Sequence, residues 1–133
     1  MNRILLLLLL FLTFNLTCFS QSETEMNKDA NNEYLKADVK LNEVYQKILK
    51  DNRSDSVFIY QFKRTQKIWI SYRDAELEMK FPAKKKQLEY GSVYPMCVSF
   101  FLKELTQERA EKLKVWLHGV SEGDVCSSSV KKN

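Results

Sequence analysis

Glycine, proline and histidine are scarce in this chain, and each shortage closes off a class of protein. Three glycines (Gly91, Gly119, Gly123) and two prolines (Pro82, Pro95) punctuate 133 residues. None of the five falls between Gln21 and Phe81. Strands joined by tight turns need such breakers, so that stretch reads as helix. One histidine, His118, and two cysteines beyond the N-terminal apolar run cannot assemble a Cys/His zinc set. His118 stands at an expected helix end beside Gly119, where a favourable interaction with the helix dipole accounts for it better than catalysis does. There is no glycine-rich phosphate loop and no G-x-S-x-G elbow. Charge of one sign is not concentrated either. The one cationic run, Lys84 to Lys86, reads as a solvated loop or helix end, and the other cations are scattered, which argues against nucleic-acid binding. Glu104, Glu108 and Glu111 alternate with Lys103, Arg109 and Lys112 at the spacing of a solvated helix face. These absences point away from an enzyme, a cofactor or a metal centre.

What is present begins at the N-terminus. A cation at Arg3 precedes an apolar run from Ile4 to Phe14, too short to span a bilayer comfortably. Cys18 and Ser20 supply small residues at −3 and −1 of a cut before Gln21, so residues 1–20 read as a signal peptide. A lipoprotein anchored at Cys18 is the weaker alternative. Asn15 and Thr17 hold the places where lipid attachment wants a leucine and a small residue, and Leu16 is one position late. The expected product is therefore exported, periplasmic or secreted, and monomeric. Without Arg3 it carries 20 cations against 17 anions, a net charge near +3. Residues 21–118 are one domain's worth of chain and need no metal to fold. Residues 119–133 read as a flexible polar tail held only at Cys126. An oxidising compartment favours a Cys97–Cys126 disulfide, the alternative being two unpaired thiols.

Hydrophobic rhythm predicts an all-α fold: an up-down bundle of three main helices, with room for a short fourth around Lys84 to Tyr90. The first helix covers residues 23–50, with Tyr34, Ala37, Leu41, Tyr45 and Ile48 on one stripe. Ser54 or Asp55 is placed to cap the second, from about Val57 to Lys80, with Phe58, Phe62, Trp69, Tyr72 and Met79 facing inward. The third runs from about Tyr94 to His118, with Val98, Phe101, Leu102, Leu105, Leu113 and Trp116 inside and Gly119 at its C′ position.

Polar residues lie close to these stripes: Asp38 and Asn42 on the first helix, Gln66, Arg73 and Asp74 near Trp69 and Tyr72 on the second, Thr106 and Arg109 on the third. In a three-helix bundle they can converge on one layer, with Arg73 or Arg109 paired to Asp38 or Asp74. A buried charge left unpaired is costly, so the set reads as internal wiring rather than as a ligand site.

Four segments in order carry a resemblance: "ADVKLNEVYQKIL" (37–49), "QKIWISYRDAE" (66–76), "GSVYPMC" (91–97) and "LTQERAEKL" (105–113). They are similar to the LprI-like lysozyme-inhibitor family of small exported bacterial proteins. The family patterns A-D-x-x-L-N-x-x-Y, Q-x-x-W-x-x-[FY]-R-D-A-E and L-T-x-x-R-x-x-x-L fall on residues 37–45, 66–76 and 105–113. The resemblance implies an exported helical protein without catalytic residues. Its implied partner is a protein: lysozyme or another cell-wall hydrolase, or, if nothing is inhibited, an envelope protein that the chain serves as an adaptor. The chain departs from the pattern at Asp29 and Leu77, where many relatives carry cysteine, which leaves the family's disulfide wiring open around Cys97. A charge of +3 also offers no steering toward a basic lysozyme, and no acidic loop suited to a basic cleft is evident.

Overall fold

The computed structural model describes residues 2–132, with side chains from Ser22 onward. The expected leader, Cys18 included, lies outside the residues whose side chains are described. Five helices follow in order: α1 Asn2–Asp51, α2 Ser56–Lys80, α3 Lys86–Tyr90, α4 Tyr94–Leu113 and the single turn α5 Val115–His118. The described residues form no strand; one isolated bridge joins Val120 to Lys132. Among them no helix is long and apolar enough to cross a membrane.

Each boundary has a local cause. At the end of α1 the Asn52 side chain donates to the Ile48 carbonyl at 2.9 Å. Asp55 caps α2, its carboxylate accepting the Phe58 N–H at 2.9 Å, one of the two capping residues the sequence offers. Lys86 closes the other end: its ammonium donates to the Phe81 carbonyl at 2.9 Å and to Glu78 at 2.6 Å. The lysine run thus supplies a C-terminal cap as well as a solvated loop. Pro95 opens α4, where its missing N–H costs nothing. The helix expected to reach His118 is interrupted instead. The Lys114 N–H is shared between the carbonyls of Ala110 and Glu111 at 3.2 and 3.1 Å, which tightens the turn and starts α5. Gly119 then leaves α5 with φ 77°, a left-handed conformation that favours glycine.

α1 and α4 run parallel and form the main seam. Ser99, Thr106, Ala110 and Leu113 recur on one face of α4, and Ala30, Ala37, Leu41 and Ile48 on one face of α1; all eight are buried. Small residues dominate the seam's early half, so the two backbones can approach closely there. Asn27 staples that end: its side chain donates to the Ser92 carbonyl and accepts the Met96 N–H, both at 3.0 Å. Larger residues fill the other end. Ile48 is fully buried, a contribution on the order of 2 kcal/mol. α2 runs antiparallel to both, entering the core through Phe62, which stacks on Tyr45 at 4.9 Å. At the far corner Phe81, Tyr90 and Tyr94 pack ring against ring at 5.2–5.7 Å, joining α2, α3 and α4.

The up-down bundle and the short fourth helix are as expected, but the inward set of α2 is not. Tyr72 is 54 % and Met79 69 % exposed, and Phe62 is the one buried residue of that helix. Two apolar stripes share α2, and only the one through Phe62 and Trp69 meets the bundle.

Candidate functional site

Successive turns of α2 present Gln66, Trp69 and Arg73 to α4, where Arg109 meets them. The Arg109 Nε donates to the Gln66 Oε1 at 3.1 Å. Its guanidinium carbon lies 5.8 Å from the centre of the Trp69 ring, and that of Arg73 lies 5.5 Å from the same ring. One indole is thereby in cation–π range of two arginines. Arg73 spends its remaining donors locally: Nε and Nη2 reach the Asp74 Oδ1 at 2.9 and 2.7 Å. Asp74 is more than half exposed, so this pair is a surface one and adds little stability.

The expected convergence on one layer is therefore corrected. Gln66, Trp69, Arg73, Asp74 and Arg109 come together across α2 and α4. Asp38 and Asn42 do not join them; on α1 the Asn42 side chain donates to the Asp38 carboxylate at 3.0 Å. Among the described residues Arg109 has no carboxylate within ion-pair distance, and burial pushes its pKa down. Its Nη2 is buried without a hydrogen-bond partner. Tyr72 points outward; hydrogen bonding to Glu76 and the charge of that carboxylate raise its pKa. Thr106 faces the α1 seam instead, fully buried, with its hydroxyl oxygen unpartnered.

That hydroxyl gives a direct test. A buried donor without a partner forfeits its hydration, so Thr106→Val, which keeps the shape and removes the hydroxyl, should stabilise the fold by about 1 kcal/mol. Urea denaturation checks the sign: the midpoint should rise with an unchanged slope.

The expected bridge is also corrected: Cys97 and Cys126 are both free thiols. Cys97 sits in the first turn of α4. The tail that carries Cys126 returns to the other end of that helix, where the Trp116 indole donates to Ser129 at 3.2 Å and the Val120 N–H to the Lys131 carbonyl at 2.8 Å. From Cys97 to Leu113 the helix rises about 24 Å at 1.5 Å per residue. A disulfide needs Cα atoms within roughly 7 Å.

Between α2, α4 and this tail lies a cavity of about 240 Å³, lined chiefly by Phe58, Phe62, Arg109, Leu113 and Trp116. Sequence reasoning missed the tail contact of Trp116 and the Asn27 staple. Each is a single polar side chain meeting a segment distant in sequence, and no periodicity announces it. The described residues contain no group of three or more His, Cys, Asp or Glu side chains that could hold a metal ion.

Fold and site together define a small helical-bundle protein whose signature arginines and tryptophan tie two helices to each other. The chain belongs to the family described as "Lysozyme inhibitor LprI", whose model matches residues 18–113. It is also similar to an uncharacterized protein of Rhizobium meliloti (strain 1021), 31 % identical over 105 residues that cover 70 % of this chain and 72 % of that protein. No solved structure matches.

Proposed function

We propose that this chain is an exported binding protein that inhibits a lysozyme-type cell-wall hydrolase by covering its surface. Family membership over residues 18–113 is the observation that carries this reading. The leader-like residues 1–20 support export. The geometry fits a binding role: Gln66, Trp69, Arg73 and Arg109 engage one another and hold the scaffold, while large apolar side chains such as Tyr60, Ile68 and Tyr72 stand exposed on α2. Aromatic and aliphatic anchors on a rigid helix are what a protein interface uses. No residue of the cluster is placed to act on a substrate, so inhibition here is occlusion and requires no chemistry.

Turbidity of a bacterial cell-wall suspension treated with lysozyme tests the reading. Purified protein should slow clearing in proportion to its amount. Because a net charge near +3 gives no steering toward a basic enzyme, the effect should change little between low and physiological salt. Unaltered clearing at a large molar excess would remove inhibition. The second reading, an envelope adaptor that inhibits nothing, rests on that same lack of electrostatic complementarity.

A further inference from the structure

The cavity between α2, α4 and the tail holds a cation that the fold does not answer. Phe58, Phe62, Leu113 and Trp116 give it apolar walls, and Gln61, Thr65 and Ser129 add neutral polar groups. Arg109 is the one charged residue lining it, and no acid joins it there. Gln66 takes only the Nε hydrogen, and Nη2 is buried without a partner. Nη1 is not sealed in with Nη2 and has no partner among the described residues, which leaves that end of the guanidinium open to a ligand. The Ser129 hydroxyl accepts from the Trp116 indole at 3.2 Å and keeps its own hydrogen to donate.

These features together select a ligand. Drawing a guanidinium partly out of water costs free energy. One neutral amide and an indole face shared with Arg73 recover only part of that cost. A carboxylate recovers more, through a charge-assisted hydrogen bond. A single cation matches a single anion, whereas a phosphate brings a charge of about −1.5 to −2 near pH 7. Four apolar walls with a few polar groups among them call for an apolar body whose one polar head is held in place. Size sets the last limit. The cavity measures about 240 Å³. At the roughly 30 Å³ that a water takes in the liquid, it has room for about eight non-hydrogen atoms. A cell-wall disaccharide or a long acyl chain is larger than that.

We propose that this cavity is a binding site for a small apolar monocarboxylate, of the size of hexanoate or benzoate, with its carboxylate on Arg109 and its body among Phe58, Phe62, Leu113 and Trp116. Arg109 thereby serves a ligand as well as tying α4 to Gln66 and Trp69. The site lies apart from the exposed α2 residues assigned to the hydrolase, and it stands whether or not lysozyme is inhibited.

Nuclear magnetic resonance on 15N-labelled protein, purified from cells expressing the full chain, tests this through the Trp116 indole N–H. Benzoate, benzyl alcohol and benzylamine offer the same ring with an anionic, a neutral and a cationic head. Benzoate should move the Trp116 resonance saturably, with half-saturation near or below about 1 mM, as befits so small a ligand. Benzyl alcohol should bind at least about tenfold more weakly, and benzylamine should leave the resonance in place. Arg109→Met should reduce benzoate to the affinity of benzyl alcohol, while Arg109→Lys, which keeps the charge, should retain part of the preference. The comparison of head groups on the parent chain needs no variant, so a misfolded Arg109→Met leaves the test intact. No saturable shift at Trp116, equal binding of benzoate and benzyl alcohol, or a folded Arg109→Met that still prefers benzoate would each overturn the proposal.

Discussion

Replacing Phe62 by alanine is expected to cost about 3–5 kcal/mol, a cost large among single substitutions in this chain. The way α2 is attached sets this cost. Phe62 is its one buried residue, stacked on Tyr45 at 4.9 Å and on Phe58 at 5.6 Å, and it belongs to the same core as Leu41, Ile48, Ala110 and Leu113. The other ties between α2 and α4 are half-solvated: the Gln66–Arg109 hydrogen bond, the two arginines at Trp69, and Lys80 over the Phe101 ring at 4.3 Å. Removing the phenyl ring therefore opens a cavity at the one buried position of α2, between the partly buried Phe58 and Trp69 that pack on the same core. The melting temperature should fall by more than about 10 °C. Hydrogen exchange should show more than a uniform loss: amides of α2 should open at low free energy while those of the α1–α4 seam keep their protection. Equal loss of protection in all three helices would mean that α2 is not the separable unit the packing implies.

The same packing explains what was legible in the sequence and what was not. The long helices were readable because sixty residues without a breaker leave helix as the economical choice, and because Ala37, Leu41 and Ile48 repeat at the spacing that one buried face requires. Asp55 and Gly119 were readable because capping chemistry is local. The inward face of α2 was only partly legible. Its apolar residues form two stripes about a third of a turn apart, and periodicity reports that a helix has a greasy face without saying which neighbour meets it. Trp69 and Phe62 face the bundle, whereas Tyr72 and Met79, at equally good spacing, do not. The polar cluster failed in the same way. Asp38 and Asn42 flank Leu41 as closely as Gln66 and Arg73 flank Trp69, yet helix rotation turns the first pair outward to each other and the second pair toward Arg109. The third helix's break at Lys114 depends on one shared backbone hydrogen, for which composition carries no sign. Cysteine counting erred for a different reason: parity and compartment say that a bridge is permitted, while the length of α4 decides whether two thiols can meet.

Arg109 is where the cluster's purpose can be measured, and two substitutions separate its parts. Arg109→Ala should cost about 2 kcal/mol, because the aliphatic stem that lies between Trp69 and the cavity beside Leu113 disappears and the indole is uncovered. Arg109→Met keeps most of that stem and removes the charge. The guanidinium is partly desolvated, has one hydrogen bond to Gln66, leaves Nη2 unpartnered and faces an indole that a second cation, Arg73, already approaches. Exchanging such a charge for an apolar side chain of similar length is often neutral or stabilising, because the desolvation cost goes with it. Arg109→Met should therefore stay within about 1 kcal/mol of the parent chain, or exceed it, in urea denaturation. If methionine proves as damaging as alanine, the charge itself holds α2 to α4, and the cation–aromatic contacts with Trp69 are worth more than their distances suggest. If methionine folds as well as arginine but abolishes the slowing of lysozyme, the guanidinium serves binding rather than the scaffold. Stability and inhibition measured on the same two variants thus divide scaffold from function at a single residue.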